Sequence, residues 1–195
     1  MTLAVRVLHG DALASALQDV ARLRIEVFAD WPYLYDGDLA YEARYLETYR
    51  HARDAIVVGA FDGKRLVGAS TGSPLTQHAD DFARAFNDTE FALDEVFYCA
   101  ESVLLPAYRG QGVGHRFFDL REAHARAAGF AYCAFCAVIR AQDHPARPAD
   151  ARALDPFWRA RGYAPLPGVI AKFAWKDHEE AQESAKPLQF WIRAL

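Results

Sequence analysis

The residues Arg109-Gly110-Gln111-Gly112-Val113-Gly114 set alternating glycines beside one cation. A backbone without Cβ atoms can approach a ligand closely and can adopt positive φ. A helix that begins directly after such a turn offers N–H groups with no internal partner, and its dipole favours negative charge there. The chemistry of this spacing is anion binding, phosphate above all, with Arg109 as a charged partner. A merely tight connection would use the same glycines. The P-loop pattern fails, because His115 and Arg116 follow Gly114 where Lys and Ser or Thr are required. The dinucleotide fingerprint fails as well, because it needs glycine at position 115.

The surrounding sequence predicts the elements that hold this turn. Tyr98 to Leu105 is rich in β-formers and is stopped by Pro106, which cannot donate to a sheet ladder. Phe117, Leu120 and His124 share a helical face beyond the turn, and Gly129 stands where a helix commonly ends. The turn therefore joins a strand to a helix. The strand also carries Glu101. An unpaired carboxylate on an otherwise apolar strand is costly to bury, so Glu101 either takes protons or pairs with a buried Arg or His. Glu95 is a second acid at the strand's start, read mainly as a solvated charge.

In chain order, Thr2 to Leu8 alternates as a first strand, and Asp11 is placed to cap a helix carrying Leu13, Leu17, Val20, Ile25 and Phe28. The aromatic stretch Trp31 to Asp38 contains Pro and Gly and breaks that helix. Leu39 to His51 forms a second helix, with Tyr41, Tyr45 and Tyr49 on one face. Ala55 to Phe61 and Arg65 to Gly72 pair through the hairpin signal Asp62-Gly63. A further helix is expected near Ala79 to Phe86. Ala131 to Ile139 reads as a buried strand parallel to the central one, reached through the helical crossover. Arg140 to Arg152 is a loop, Asp155 to Arg161 a short helix ended by Gly162, and Val169 to Trp175 and Leu188 to Ile192 are final strands.

The bulk properties limit the function classes. The 195 residues suit one domain, residues 1–195, with a sizeable core. The chain is 52% hydrophobic and 25% charged, which is globular composition, and its net charge of -4 argues against a nucleic-acid surface. No apolar run approaches the ~18 residues of a membrane span, and the N-terminus lacks signal-peptide features. Three cysteines give no disulfide framework. Cys133 and Cys136 form C-x-x-C, but strand period two points them to opposite faces, and no second pair completes a metal site. Cys99 lies beside the turn and is read as a packed core thiol. A soluble cytoplasmic protein is expected, with no metal, no membrane partner and no nucleic acid.

The segment VLLPAYRGQGVG resembles the cofactor motif of the GNAT superfamily of N-acetyltransferases. The element order β-α-α-β-β-β-α-β-α-β-β resembles that family's fold over nearly the whole chain. A second echo is Phe157-Trp158-Arg159-Ala160-Arg161-Gly162-Tyr163. The fold class implied is mixed α/β, with a central sheet of about six to seven strands and helices on both faces. The resemblance implies acetyl transfer from acetyl-CoA to a primary amine of a small molecule or peptide, by direct attack through a tetrahedral intermediate. It places the pyrophosphate on Arg109, Gly110, Gln111, Gly112, Val113 and Gly114. It places the pantetheine arm on backbone groups of Val103 and Leu104, with an N–H near Leu104 facing the oxyanion.

Glu101 is the expected general base, since neutralising an alkylamine of pKa ~10.4 at pH 7 costs roughly 4 to 5 kcal/mol. Trp31, Tyr33, Tyr35 and Asp36 are the expected acceptor wall, where aromatics and an acid suit an amine. His144, with Asp143 and Arg147 near the carboxyl edge of the sheet, is a further substrate-side residue.

The chain departs from the family at three places. Tyr98 stands about where many relatives carry a strand glutamate. Trp158 stands where many carry a tyrosine that protonates the thiolate, with Tyr163 just over a turn on. Ala151 stands about where an asparagine is usual. Two other functions keep the same fold: a non-catalytic acetyl-CoA-binding module, and an acyltransferase using a longer acyl-CoA. The apolar C-terminal strand near Leu195 suggests pairing across a homodimer.

Overall fold

A computed structural model describes residues 3–78 and 82–195. Its elements are β1 (Leu3–Val7), α1 (Gly10–Phe28), α2 (Leu39–His51), β2 (Ile56–Asp62), β3 (Arg65–Pro74), β4 (Val96–Leu104), α3 (Val113–Ala127), β5 (Tyr132–Val138), α4 (Asp155–Ala160), β6 (Ala164–Trp175) and β7 (Ser184–Ala194). Short 3-10 turns lie at Leu75–His78, Ala83–Phe86, Leu93–Glu95 and Pro106–Tyr108. The strands form one sheet in the order β1-β2-β3-β4-β5-β7-β6. The pairs are antiparallel except β4 with β5, which α3 joins as a crossover. This is the mixed α/β sheet that the element order implied.

Two features of β4 set up everything beyond it. First, its parallel pairing with β5 covers only Val96↔Tyr132, Phe97↔Cys133 and Tyr98↔Ala134, although both strands continue. The strands part after Tyr98 and leave a gap. Second, β4 carries a bulge. Thr71 of β3 opposes Glu101 and Ser73 opposes Tyr98, so Gly72 alone spans the length of Cys99 and Ala100. The extra residue resets the alternation of faces. Beyond it, Glu101 meets Arg24 of α1 while its neighbour Ser102 accepts a hydrogen bond from Arg121 of α3. Adjacent strand residues point to opposite faces, so α1 and α3 cover opposite faces of the sheet.

Acceptors of both strands lie beside the bulge, Thr71 O on β3 and Glu101 O and Ser102 Oγ on β4. Arg121, 1% exposed, reaches them from α3: its Nη1 donates to Thr71 O at 3.1 Å and to Glu101 O at 3.0 Å, and its Nη2 donates to Ser102 Oγ at 2.9 Å. A buried guanidinium without a carboxylate is tolerable here because backbone and hydroxyl acceptors satisfy it.

Several expectations change. α1 begins at Gly10 with His9 as its cap and no side-chain cap bond, so Asp11 sits inside the first turn and complements the dipole instead. α2 is capped by Asp38, which accepts from Tyr41 N at 2.6 Å. The helix expected near Ala79 to Phe86 lies partly outside the described residues, and the rest is a single 3-10 turn, Ala83–Phe86. β6 and β7 are longer than their apolar patterns suggested. The register of β6 breaks between Pro165 and Ile170, across Pro167 and Gly168, which hid its first half. The pairing of a second copy along the C-terminal strand is closed off, because β7 is hydrogen-bonded to β5 on one side and β6 on the other.

Candidate active site

The glycine turn lies where the sequence put it. Gly110 and Gly112 have φ of +75° and +80°, a region that side chains other than glycine's seldom adopt. Gly112 is the N-cap of α3 and has no side chain to offer the first-turn N–H groups. A Cβ built at either glycine meets nothing within 4 Å, so the concave side of the turn is open. Uncapped N–H groups, a helix dipole and open space together fit a phosphate. Arg109 and Arg116 are exposed beside it. Arg109 Nε donates to Leu104 O at 3.2 Å, which fastens the turn to the end of β4. Tyr108 donates to Asp62 Oδ2 at 3.0 Å and fixes the approach from the other side. Phe157 of α4 comes within 3.6 Å of a Cβ built at Gly114, so α4 packs over the start of α3.

The end of the gap meets this turn. Leu105 N–H bonds Val67 O at 3.0 Å. Strand alternation then directs the backbone of Val103 to Ala69 of β3 and that of Leu104 into the gap. The backbone pair expected at Val103 and Leu104 narrows to Leu104; Val103 is fully buried and committed to the sheet.

On the α1 face, a cavity of about 820 Å³ lies between the α1–α2 connection, β4 and the β6–β7 ribbon. Tyr33, Tyr35, Asp36, Tyr98 and Glu101 all line it. Trp31 and His144 do not. They meet each other instead, rings 5.3 Å apart, and His144 Nδ1 accepts from Ala146 N at 3.2 Å. Asp143 and Arg147 are exposed, and Arg147 donates to Gln142 O within its own loop. Glu95 is exposed at the foot of β4, away from the cavity lining.

Glu101 is not a lone carboxylate. It is ion-paired with Arg24 of α1, which also pairs with Glu42 of α2. Glu42 is 1% exposed. Burial pulls against the charge on Arg24, but Glu101, Tyr45 and Glu42 outweigh it and hold the guanidinium protonated. Tyr45 donates to Glu101 Oε2 at 3.2 Å and stands 3.1 Å from the hydroxyl of Tyr49. One cation therefore serves two buried carboxylates.

His78 closes the cavity above Tyr98, ring centroids 4.9 Å apart, with its Nε2 2.7 Å from Ser73 Oγ. Burial holds its pKa below the ordinary histidine value, against the pull of Glu101. At neutral pH it is an uncharged imidazole. Nothing in the sequence marked His78, since it follows β3 in an irregular turn. Arg24 carried a signal that went unused: it continues the inner stripe Leu17, Val20, Ala21 of α1, where a cation needs a buried partner.

The aromatic wall is held in place from β5 and β6. Arg140 donates to Pro32 O and Tyr33 O, both at 2.8 Å, and grips Asp177 with two bonds of 2.7 and 3.0 Å. Trp175 Nε1 also donates to Tyr33 O, at 3.0 Å. Cys136 lines the cavity beside Tyr98, sulfur to hydroxyl 3.0 Å, while Cys133 is packed among the residues of the other core cluster. Burial pushes the Cys136 thiol up to about 12, so it is no thiolate nucleophile. Trp158 packs between Phe135 and Trp191, and Tyr163 donates to the buried Glu122 at 3.1 Å. Both are structural.

The fold recurs in solved structures. One is a ribosomal-protein-alanine N-acetyltransferase from Brucella melitensis, 14% identical, aligned over 98% of this chain and 99% of that one with a TM-score of 0.65. Another is a putative acetyltransferase from Salmonella typhimurium with its cofactor acetyl-CoA, at 12% identity, 100% and 95% coverage and a TM-score of 0.61. A GNAT superfamily phosphinothricin acetyltransferase from Sinorhizobium meliloti, in complex with acetyl-CoA, gives 19%, 100%, 89% and 0.61. No curated protein matches in sequence. Residues 18–149, which run from within α1 through α2, the bulged strand, the glycine turn and the parallel strand, match the model of the acetyltransferase (GNAT) family, and the chain belongs to that family.

Proposed function

We propose that this protein transfers an acetyl group from acetyl-CoA to a primary amine. The observation that carries the reading is the junction at Leu104, where the gap between β4 and β5 runs into the open glycine turn at the start of α3. An extended pantetheine arm fits beside the strand edge that β5 leaves unpaired beyond Tyr98, and its pyrophosphate fits the first turn of the helix. Arg109 to Gly114 would hold the phosphates, and Leu104 would offer its N–H to the thioester oxygen. Such a donor is typically worth about 3 to 4 kcal/mol in the transition state. Bound acetyl-CoA supplies the activated acyl group. The chain's own residues position the amine and remove its proton.

Glu101 is the base of this reading. It directly follows the bulge, faces the cavity, accepts from Tyr45 and shares Arg24 with Glu42. A second reading gives the proton to His78, which lines the same cavity and is uncharged. With Trp158 and Tyr163 committed to packing, the thiolate leaves without a proton from α4, which a thiol leaving group tolerates.

Titration calorimetry with acetyl-CoA, followed by a survey of amines with labelled acetyl-CoA, tests the reading. Micromolar binding and label transfer to an amine support it. Binding without transfer to any amine would favour a non-catalytic acetyl-CoA module, and tighter competition by longer acyl-CoAs a different donor. No binding would remove the reading altogether.

A further inference from the structure

The acceptor cavity has a charge imbalance with a definite chemical consequence. Among the described residues, five carboxylates line it against three cations. Arg24 is shared between Glu42 and Glu101 on the floor. At the mouth Lys176 pairs with Asp36 at 2.6 Å, and the exposed Lys172 is matched in charge by the exposed Glu183. The exposed Asp38, at the start of α2, adds one further negative charge at the rim beside that helix. The uncompensated charge is therefore negative and lies on the α1–α2 side, where Glu42 is almost fully buried.

The walls that face this charge are flat and apolar. Tyr33 and Tyr35 come from the α1–α2 connection and Tyr98 from the sheet, and Phe82 packs on Tyr98 at 5.2 Å and stacks on Phe173 at 5.5 Å. Burial raises the hydroxyls of Tyr33 and Tyr98 well above the ordinary tyrosine value, so they are neutral, and their ring faces are electron-rich surfaces for a cation. A carboxylate on the ligand would meet net negative charge, with only the exposed Lys172 to receive it.

We infer that the acceptor is a monocationic primary amine on a flat apolar body with no carboxylate, an arylalkylamine in chemical class. The ammonium would lie toward Glu101 and the ring against the aromatic surface. This rests on the acetyl-transfer reading above and adds the acceptor's class to it.

The test is a matched pair, 2-phenylethylamine against phenylalanine, which differ by one carboxylate. At an effective dielectric of about 20, a like charge about 6 Å from the uncompensated carboxylate costs about 100-fold. The expected result is a kcat/KM for 2-phenylethylamine about 100-fold above that for phenylalanine, with phenylalanine methyl ester restored toward the amine. Calorimetry without acetyl-CoA reads the same preference as binding. Glu42→Gln leaves Arg24 and Glu101 as a neutral pair and should shrink the discrimination to about tenfold; the wild-type comparison stands even if that variant does not fold. Equal use of the pair, preference for phenylalanine, or turnover confined to peptides overturns the inference and leaves acetyl transfer standing. Selective binding of 2-phenylethylamine with no label transfer to any amine does the reverse: the cavity chemistry holds and the transferase reading fails.

Discussion

Tyr98 and Glu101 lie three residues apart on one strand and face the same cavity. Regular alternation would put them on opposite faces of the sheet. The extra residue at Cys99–Ala100 turns Glu101 back to the side of Tyr98, and the same point marks where β4 leaves β5. One local irregularity thus aims the carboxylate at the aromatic-lined cavity and lies where the gap between β4 and β5 opens.

Arg121 is what makes that irregularity affordable, since it satisfies Thr71 O, Glu101 O and Ser102 Oγ. Arg121→Met keeps the volume and removes all three bonds. The expected loss is about 3 kcal/mol of unfolding free energy, read by urea denaturation, with a fall in kcat as Glu101 loses its aim. Unchanged stability would mean that water replaces the guanidinium and that the bulge holds itself.

Glu101→Gln preserves shape and the contact with Tyr45 while removing the negative charge. Transfer should fall by about 100-fold or more, with acetyl-CoA affinity unchanged, because the donor turn lies elsewhere. If the variant turns over like the wild type, the proton goes to another group and His78 is next in line.

His78 is held neutral in the folded protein, so its folded pKa lies below the unfolded value of 6.5. The unfolded chain therefore binds more protons as pH falls through that window, and stability falls with it. Below pH 6.5 the urea midpoint should decrease with acidification, and His78→Gln should flatten that slope. If His78 also accepts the proton in catalysis, the acid limb of kcat/KM will vanish in the same variant.

Gly112 separates conformation from charge. Asn and Asp are similar in size and share some tolerance of positive φ, at a cost of about 1 kcal/mol. Gly112→Asp adds a negative charge to the open turn and should abolish measurable acetyl-CoA binding. Gly112→Asn should retain more of it, and the two should melt within a few degrees of each other. Equal affinity in both would show that no phosphate lies against this turn.

Arg140 binds the aromatic wall to β6 through two carbonyls and Asp177. Arg140→Ala leaves the buried Asp177 with less compensation and frees the Tyr33 segment. A loss of about 3 kcal/mol and a rise in acceptor KM larger than the fall in kcat are expected. A KM that does not move would place the acceptor away from Tyr33.

The sequence by itself determined the elements and the donor side of the site. Positive φ favours glycine at 110 and 112, Pro106 and Gly129 bound a strand and a helix, and period-two and period-3.6 patterns name most of the rest. These are local constraints, and local sequence carries them. Glu101 too was visible, as a charge on an apolar strand, but not its partner. Arg24 and Glu42 come from two other helices, and only packing brings them within reach. His78 reaches the cavity from an irregular turn, and Trp31 and His144, placed in the site by residue type, meet each other outside it. The face that Glu101 occupies was decided by a bulge that a guanidinium on α3, twenty residues along, braces through a tertiary contact. Pattern in sequence repeats only while the ladder does, and the site was built where the ladder slips.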